Sequence, residues 1–197
     1  MTIVDTLIRI AEWLNGGVCK EFKFKLPPKD LGTAVDDRYE YELVNPHAFP
    51  VFMPTRDKLP PGIISNMPSV VVQIVEGQDD ILKNTRDIKI NLGISCWNPG
   101  LHSKDIFYPE GTKPEQPEKY RSTYDGWMDA WNFADAIIRK LESQDVLGGV
   151  QISGNISFGS YKEQEAIVDL YPMWMAWVQF TTRSEFIRNH TDYGEFL

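Results

Sequence analysis

Cysteine is nearly missing from this chain: Cys19 and Cys96 are the two thiols in 197 residues. Two thiols build no disulfide framework, so the fold has to rest on a hydrophobic core. Histidine is equally scarce. His47, His102 and His190 stand far apart, with no Cys or carboxylate at metal-ligand spacing, and no metal site is expected. Long apolar runs are lacking too. The stretch "PSVVVQIV" falls well short of the roughly 20 residues of a membrane span. The N-terminus "MTIVDTLIRIAEWLNGG" carries Asp5 and Glu12 and no basic n-region, so no signal peptide is read there and a cytoplasmic setting is expected. Positive charge is in deficit: 20 Lys and Arg against 28 Asp and Glu leave a net charge of -8. Gripping nucleic acid needs a basic face that releases counterions. The local lysine group, Lys20, Lys23 and Lys25, reads as the wet face of one strand, so specific nucleic-acid binding is not expected.

Catalytic signatures are also thin. "GGVQISGNISFG" is rich in glycine, but no Lys-Ser/Thr follows and no helix opens after it, so it is not a phosphate loop. Asp125 and Asp129 lie one turn apart near a helix start, where negative charge favours the helix dipole, and that reading outweighs an acid/base pair. Cys96 and His102 could pair as nucleophile and base. But Cys96 falls on the apolar face of a strand, where a thiol acts as a small hydrophobe. No catalytic residue and no cofactor site is assigned, and a non-enzymatic protein is expected.

What is present is periodicity. Ile3, Val4, Leu7, Ala11 and Leu14 recur at helical spacing over residues 2–14, with Thr2 and Asp5 as a capping pair and Gly16-Gly17 as the stop. "VCKEFKFKLPP" alternates, with Phe22, Phe24 and Leu26 on one side, and predicts a half-buried strand. Residues 27–67 hold seven prolines and an acidic "DDRYEYE", and read as a long irregular arm. "PSVVVQIVEG" predicts a strand covered on both faces. "DIKINLGISCW" predicts its hairpin partner, with Ile88, Ile90, Leu92, Ile94 and Cys96 inward. A second polar loop spans 98–122. A main helix follows, with the stripe Trp127, Trp131, Ala134, Ile138 and Leu141. Val150, Ile152, Ile156 and Phe158 mark another strand, and the chain from 183 reads as a tail or docking arm. The whole is expected to be one α+β domain: a mostly antiparallel mixed sheet, two helices on one face, and long arms.

"YPMWMAWVQFTT", residues 171–182, sorts by parity. Pro172, Trp174, Ala176, Val178 and Phe180 form one apolar face. On the other, Met173, Met175 and Trp177 are apolar, and Gln179 and Thr181 are polar. A one-sided sheet shows polar residues along its whole second face. The second face is therefore expected to be covered as far as Trp177, by the arm at 27–67 or by another subunit. Met and aromatic residues are typical of interface cores.

Four segments together, "LPPGIISNMPSVVVQIVEGQDD", "IKINLGISCWNPGLHSKD", "DGWMDAWNFADAIIRKLE" and "LYPMWMAWVQFTT", resemble the tail terminator (tail completion) proteins of long-tailed bacteriophages and prophages of Firmicutes. The resemblance spans about residues 59–182, and its motifs are structural. It implies a homo-oligomeric ring, usually a hexamer, that caps the tail tube in the virion, stops its growth and meets the head-tail connector and neck proteins. DNA would pass through the lumen without specific binding. Val70, Val72, Ile90, Leu92, Trp174 and Val178 would be sheet core, and Trp127, Trp131 and Ile138 would dock the helix. The candidate interface set joins Met173, Met175 and Trp177 to aromatics of the long segments: Tyr39, Tyr41, Phe49, Phe52, Phe107, Tyr108 and Phe186. The alternatives are another neck or head-completion ring, and a carbohydrate-binding module using Trp97 or Trp177.

Overall fold

The structure, a computed structural model, describes residues 1–28, 42–101, 121–122, 126–163, 166–167 and 170–185. Helix α1 runs Ile3–Gly16. Thr2 Oγ1 accepts from the Asp5 amide at 3.1 Å, and the Asp5 carboxylate accepts from the Thr2 amide at 3.2 Å. The expected capping box therefore satisfies two donors that the first turn would leave orphaned. Thr6, Leu7, Ile10, Ala11 and Leu14 form the buried stripe. Ile3 and Val4 do not belong to it. Val4 lies about 90° round the helix from the stripe, and Ile3 opens onto a surface pocket beside Ile74 and Ile88.

The strand expected at 18–26 is mostly absent. Val18–Glu21 forms one helical turn, α2, and only Phe24–Lys25 is extended, as β1. The cause lies far off in sequence. Asn45 Nδ2 donates to the carbonyls of Cys19, Lys20 and Phe22 at 3.2, 3.3 and 2.7 Å, which holds the turn closed. Strand β1 pairs with β2, Leu43–Val44. Phe22 and Phe24 still share a side: their rings stack at 5.8 Å, and each meets Phe133 at 5.3 Å. Lys25 is not on a wet face. Its Nζ donates to Asn98 Oδ1 at 2.8 Å, and desolvation lowers its pKa.

The main sheet contains β3 (His47–Pro50), β4 (Ser69–Asp80), β5 (Thr85–Trp97), β8 (Val146–Leu147), β9 (Val150–Ser160) and β12 (Met173–Glu185). Their order is β3-β4-β5-β12-β9-β8. Only β3–β4 is parallel; the other pairings are antiparallel. Two short pairs stand apart: β6 (Gly100–Leu101) with β7 (Arg121–Ser122), and β10 (Lys162–Glu163) with β11 (Ala166–Ile167). Helix α3 is Trp127–Glu142. Helix α1 packs on β3 and β4, and α3 on β12 and β5, so both long helices cover one face of an α+β fold.

The inward row of β5, Ile88 to Cys96, is buried as its alternation predicts. Strand β4 differs from expectation. Val70 and Val72 are fully buried, but Ile74 and Val75 are exposed, because the β4–β5 hairpin runs on past the helices to a tip at residues 81–84. The segment "GQDDILKNTR" is thus mostly strand. β3 was not anticipated either: inside the proline-rich arm, four residues add a parallel edge strand that buries Ala48 and Phe49. On α3 the buried residues are Ala130, Phe133, Ala134, Ile137 and Leu141. The tryptophan stripe is turned away: Trp127 is 48% exposed and Trp131 meets Phe158 edge-on at 6.4 Å. Ile138 is half-buried at the margin. Two alanines let the helix axis approach the sheet, and two indoles in their place would hold it off.

Strand β9 carries a register shift against β12: Ser157 pairs with Gln179 and Ser153 with Thr181. Gly154, at φ +78°, sits in that bulge. Val150 and Ile152 face inward as expected, while Phe158 is 55% exposed beyond the helix. No described helix is long and apolar enough to cross a membrane.

Candidate functional site: the open face of the sheet

The face of the sheet opposite the helices holds the odd-numbered residues of β12. Met173, Met175, Trp177, Gln179 and Thr181 are all half-buried, whereas Ala176, Val178, Phe180 and Thr182 on the helix side are buried. Pairing builds this surface in rows. Val71, Gly93, Trp177 and Gly159 form one row across β4, β5, β12 and β9. The next row is Gln73, Asn91, Gln179 and Ser157.

Glycine shapes the first row. Trp177 Nε1 donates to Ser160 O at 2.9 Å, and a Cβ on Gly159 would lie 2.7 Å from the indole, so the ring rests over Gly159. At Gly93 a Cβ would meet nothing nearer than Val71 O at 4.0 Å. The missing side chain there leaves a pit between Val71 and Trp177. The result is a groove of ≈430 Å³ with Met53, Tyr161 and Lys162 among its walls.

The second row is a ladder of amides. Gln179 Nε2 donates to Asn91 Oδ1 at 3.2 Å, Asn91 Nδ2 to Gln73 Oε1 at 3.3 Å, and Gln73 Nε2 to Val51 O at 3.5 Å. It marks the boundary predicted at Gln179, where the apolar surface gives way to a polar one. Farther along, Arg183 binds Asp87 through two bonds of 2.7 Å, and Lys89 meets Glu76 at 3.3 Å. The guanidinium beside Asp87 holds its carboxyl below the usual carboxylate range.

Among the described residues of the arm, Met53 walls the groove. Met53 Sδ lies 3.4 Å from Ser69 Oγ, which bonds Ser95 Oγ at 2.8 Å. Phe49, expected at an interface, is 3% exposed and its ring meets His47 at 4.7 Å; it serves its own chain's packing. Phe52 is 67% exposed. It follows Val51, at φ +71°, and its amide bonds Pro50 O at 2.9 Å: the rare positive-φ γ-turn, strained for a β-branched residue. That turn points Phe52 outward, next to Met53 on the groove wall. Tyr39, Tyr41, Phe107, Tyr108 and Phe186 lie outside the described residues, as does Asp125. Of the candidate interface set, Met175 and Trp177 line the groove, and Met173 shares their face. The pit at Gly93 and the amide ladder were missed. Their signals were a lone glycine inside an alternating strand and three amides whose pairing needed the register.

Chemistry elsewhere is sparse among the described residues. No three His, Cys, Asp or Glu side chains there come together to hold a metal. Burial pushes the Cys19 thiol up to about 12 and the Cys96 thiol higher still, so neither is a thiolate at neutral pH. Asp129 accepts from Asn98 Nδ2 at 2.8 Å, and Asn98 in turn accepts from Lys25. That chain ties β1 and α3 to the end of β5. Trp174 of the expected core is half-buried, its indole N–H donating to Asn98 O at 2.8 Å. Trp97, the other candidate sugar platform, is 1% exposed and offers no ring face to a ligand. No protein-family model matches this chain, and no curated protein matches it with significance.

Proposed function

We propose that this chain is a structural subunit of a long-tailed bacteriophage or prophage, which assembles into a ring that caps the tail tube, ends its growth and offers a surface to the head-tail connector. The resemblance over residues 59–182 suggests the reading. The observation that carries it furthest is the open face: Val71, Met173, Met175 and Trp177 are apolar and only half-covered by the described residues. Apolar patches of this kind mark association surfaces. The patch lies beside β4 and β9, whose outer edges are paired over only part of their length among the described residues, at Ser69–Val72 by β3 and at Val150–Gln151 by β8. A patch and an edge on different sides of one subunit favour head-to-tail contacts, which close into rings when the rotation allows. With a net charge of -8, such a ring would pass DNA without holding it.

The test is the mass of the purified chain in solution, alone and with the tail-tube protein, with negative-stain images of tube ends. Rings seated on tube ends are the expected result. A chain that stays monomeric and never meets tube ends would sink the proposal. Binding to the connector and not to tubes would move it to a neck or head-closure ring.

A further inference from the structure

We infer that the outer edge of β4, Gln73–Asp80, pairs with the same edge of a second copy of this chain, about a two-fold axis at Gly77. Strand β3 covers β4 at Ser69–Val72 and then leaves. Val51 donates its amide to Val72 O at 2.8 Å, and its turn at φ +71° takes the chain off the edge. From there to the hairpin tip no described strand lies beside β4, and Gln73–Asp79 are exposed. Such an edge is a template for another strand. The acids that would guard it are neutralised within the hairpin: Glu76 meets Lys89 at 3.3 Å, Asp79 meets Arg86 at 2.7 Å and Asp80 meets Lys83 at 3.1 Å. The surroundings are apolar. Ile74 and Val75 lie on the edge, and Ile3 shares a pocket with Ile74 and Gly77, so the first turn of α1 stands beside it. Farther along α1, Asn15 bonds Ala48 of β3 at 2.8 and 3.0 Å. Val4 and Ile8, 62% and 42% exposed, share that flank of the helix and overhang the line that β3 abandons.

The edge is complementary to itself. Backbone groups along an antiparallel strand turn alternately inward and outward. Val72 is turned outward, to Val51, and so is Ile74; past the bulge at Val75 the alternation shifts to Gly77 and Asp79. A two-fold at Gly77 then sets Gly77 opposite its own copy, Glu76 opposite Gln78, Ile74 opposite Asp79 and Gln73 opposite Asp80. Outward groups meet outward groups, and no acid lies directly opposite an acid. Just past Asp80, the tip residues Ile81 and Leu82 are 60% and 95% exposed. They arrive at Val51 and Phe52 of the second copy, which are 54% and 67% exposed. One copy cannot make this contact with itself, because its tip and its Val51 turn stand at opposite ends of the open edge. The contact is isologous, each copy giving and receiving the same residues. It leaves the apolar patch of the open face and the edge of β9 uncovered, and it does not rest on the ring reading.

The test uses the full-length chain. Sedimentation across a dilution series should show a two-copy species. Gly77→Asp and Gly77→Lys each place like charges across the axis, while a Cβ there meets nothing nearer than Asp87 O at 3.5 Å, so the subunit itself tolerates both. Each variant, with a circular dichroism spectrum matching the wild type, should weaken the pair roughly tenfold or more, and an equimolar mixture of the two should restore it. Mild oxidation of Gly77→Cys, read by peptide mass, should link two chains through residue 77. Val146→Cys, 55% exposed at the other edge of the sheet, should give no such link; the native Cys19 and Cys96 are 2% and 0% exposed and take no part. No two-copy species, a charge variant that pairs as the wild type does, or a mixture no stronger than its parts would each overturn the pairing. Two-copy species that never form rings on tube ends keep the pairing and sink the ring; rings from a chain that shows no two-copy species do the reverse.

Discussion

The two faces of β12 share one backbone and begin with similar side chains, yet they meet different fates. Inward, Ala176, Val178, Phe180 and Thr182 are at most 3% exposed under α3. Outward, Met175 and Trp177 stay half-covered, with a groove beside them instead of a helix. Hydrophobicity is therefore a poor guide to burial on this strand. What separates the faces is whether a second layer has been built over them, and a sheet face without one is either solvated or reserved for another segment or subunit.

The sharpest way to break that comparison is to empty the covered face. Phe133→Ala should cost about 3–5 kcal/mol, because its ring fills the space between Phe22, Phe24 and the sheet and leaves a cavity. Trp127→Ala, on the same helix but 48% exposed, should cost no more than about 1 kcal/mol. Urea denaturation midpoints with unchanged slopes check both, and equal losses would contradict the assignment of the buried stripe.

Next in size is a pair of glycine substitutions on the open face. Gly159→Ala drives a methyl into the Trp177 indole and should cost about 1–3 kcal/mol. Gly93→Ala meets open space and should stay within about 0.5 kcal/mol, or stabilise the strand slightly. A reversal of the two would mean that Trp177 does not rest over Gly159.

Met175→Glu should cost at most about 1 kcal/mol in stability, since its side chain is already partly in water. It should nevertheless remove ring-sized particles from the mass distribution. Wild-type assembly by this variant would show that the open face is not the contact.

The smallest effects are ionic. Desolvation lowers the His47 pKa, so the folded state takes up its proton less readily than the unfolded chain. Its contribution is full above the ordinary histidine value of about 6.5 and is lost as pH falls below that. His47→Phe should flatten the Tm profile in that window while leaving it unchanged at pH 8. Asp79 and Asp87 are held low by Arg86 and Arg183, so their contribution is present above the usual carboxylate range and disappears only in stronger acid. A flat profile from pH 8 to 5 in the wild type would overturn the histidine assignment.

Much of this arrangement is legible in the sequence. The capping pair at Thr2 and Asp5, the inward row of β5 and the parity of 171–182 depend on neighbours two to four residues away, and local periodicity reports those directly. The failures are of another kind. On α3 the stripe Trp127, Trp131, Ala134, Ile138 and Leu141 holds at Ala134 and Leu141, but the sheet takes Ala130, Phe133 and Ile137 in place of the two tryptophans and Ile138. Phe49 is expected at an interface with the other aromatics of the long segments, whereas a parallel pairing with β4 buries it. The turn at Val18–Glu21 was read as strand because the amide that closes it, Asn45, belongs to a different segment.

Sequence by itself determined the class of the fold, the inward face of β5, and the point near Gln179 where the second face of the last strand turns polar. Those properties follow from side-chain alternation along one segment. Only the tertiary structure decided which residues become neighbours across strands. It placed Gly93 beside Trp177, lined up Gln73, Asn91 and Gln179 as a ladder, and left a groove where two glycines meet an indole. The reason is register: pairing joins Gln179 to Asn91, 88 positions apart in the chain, and no local pattern contains that distance.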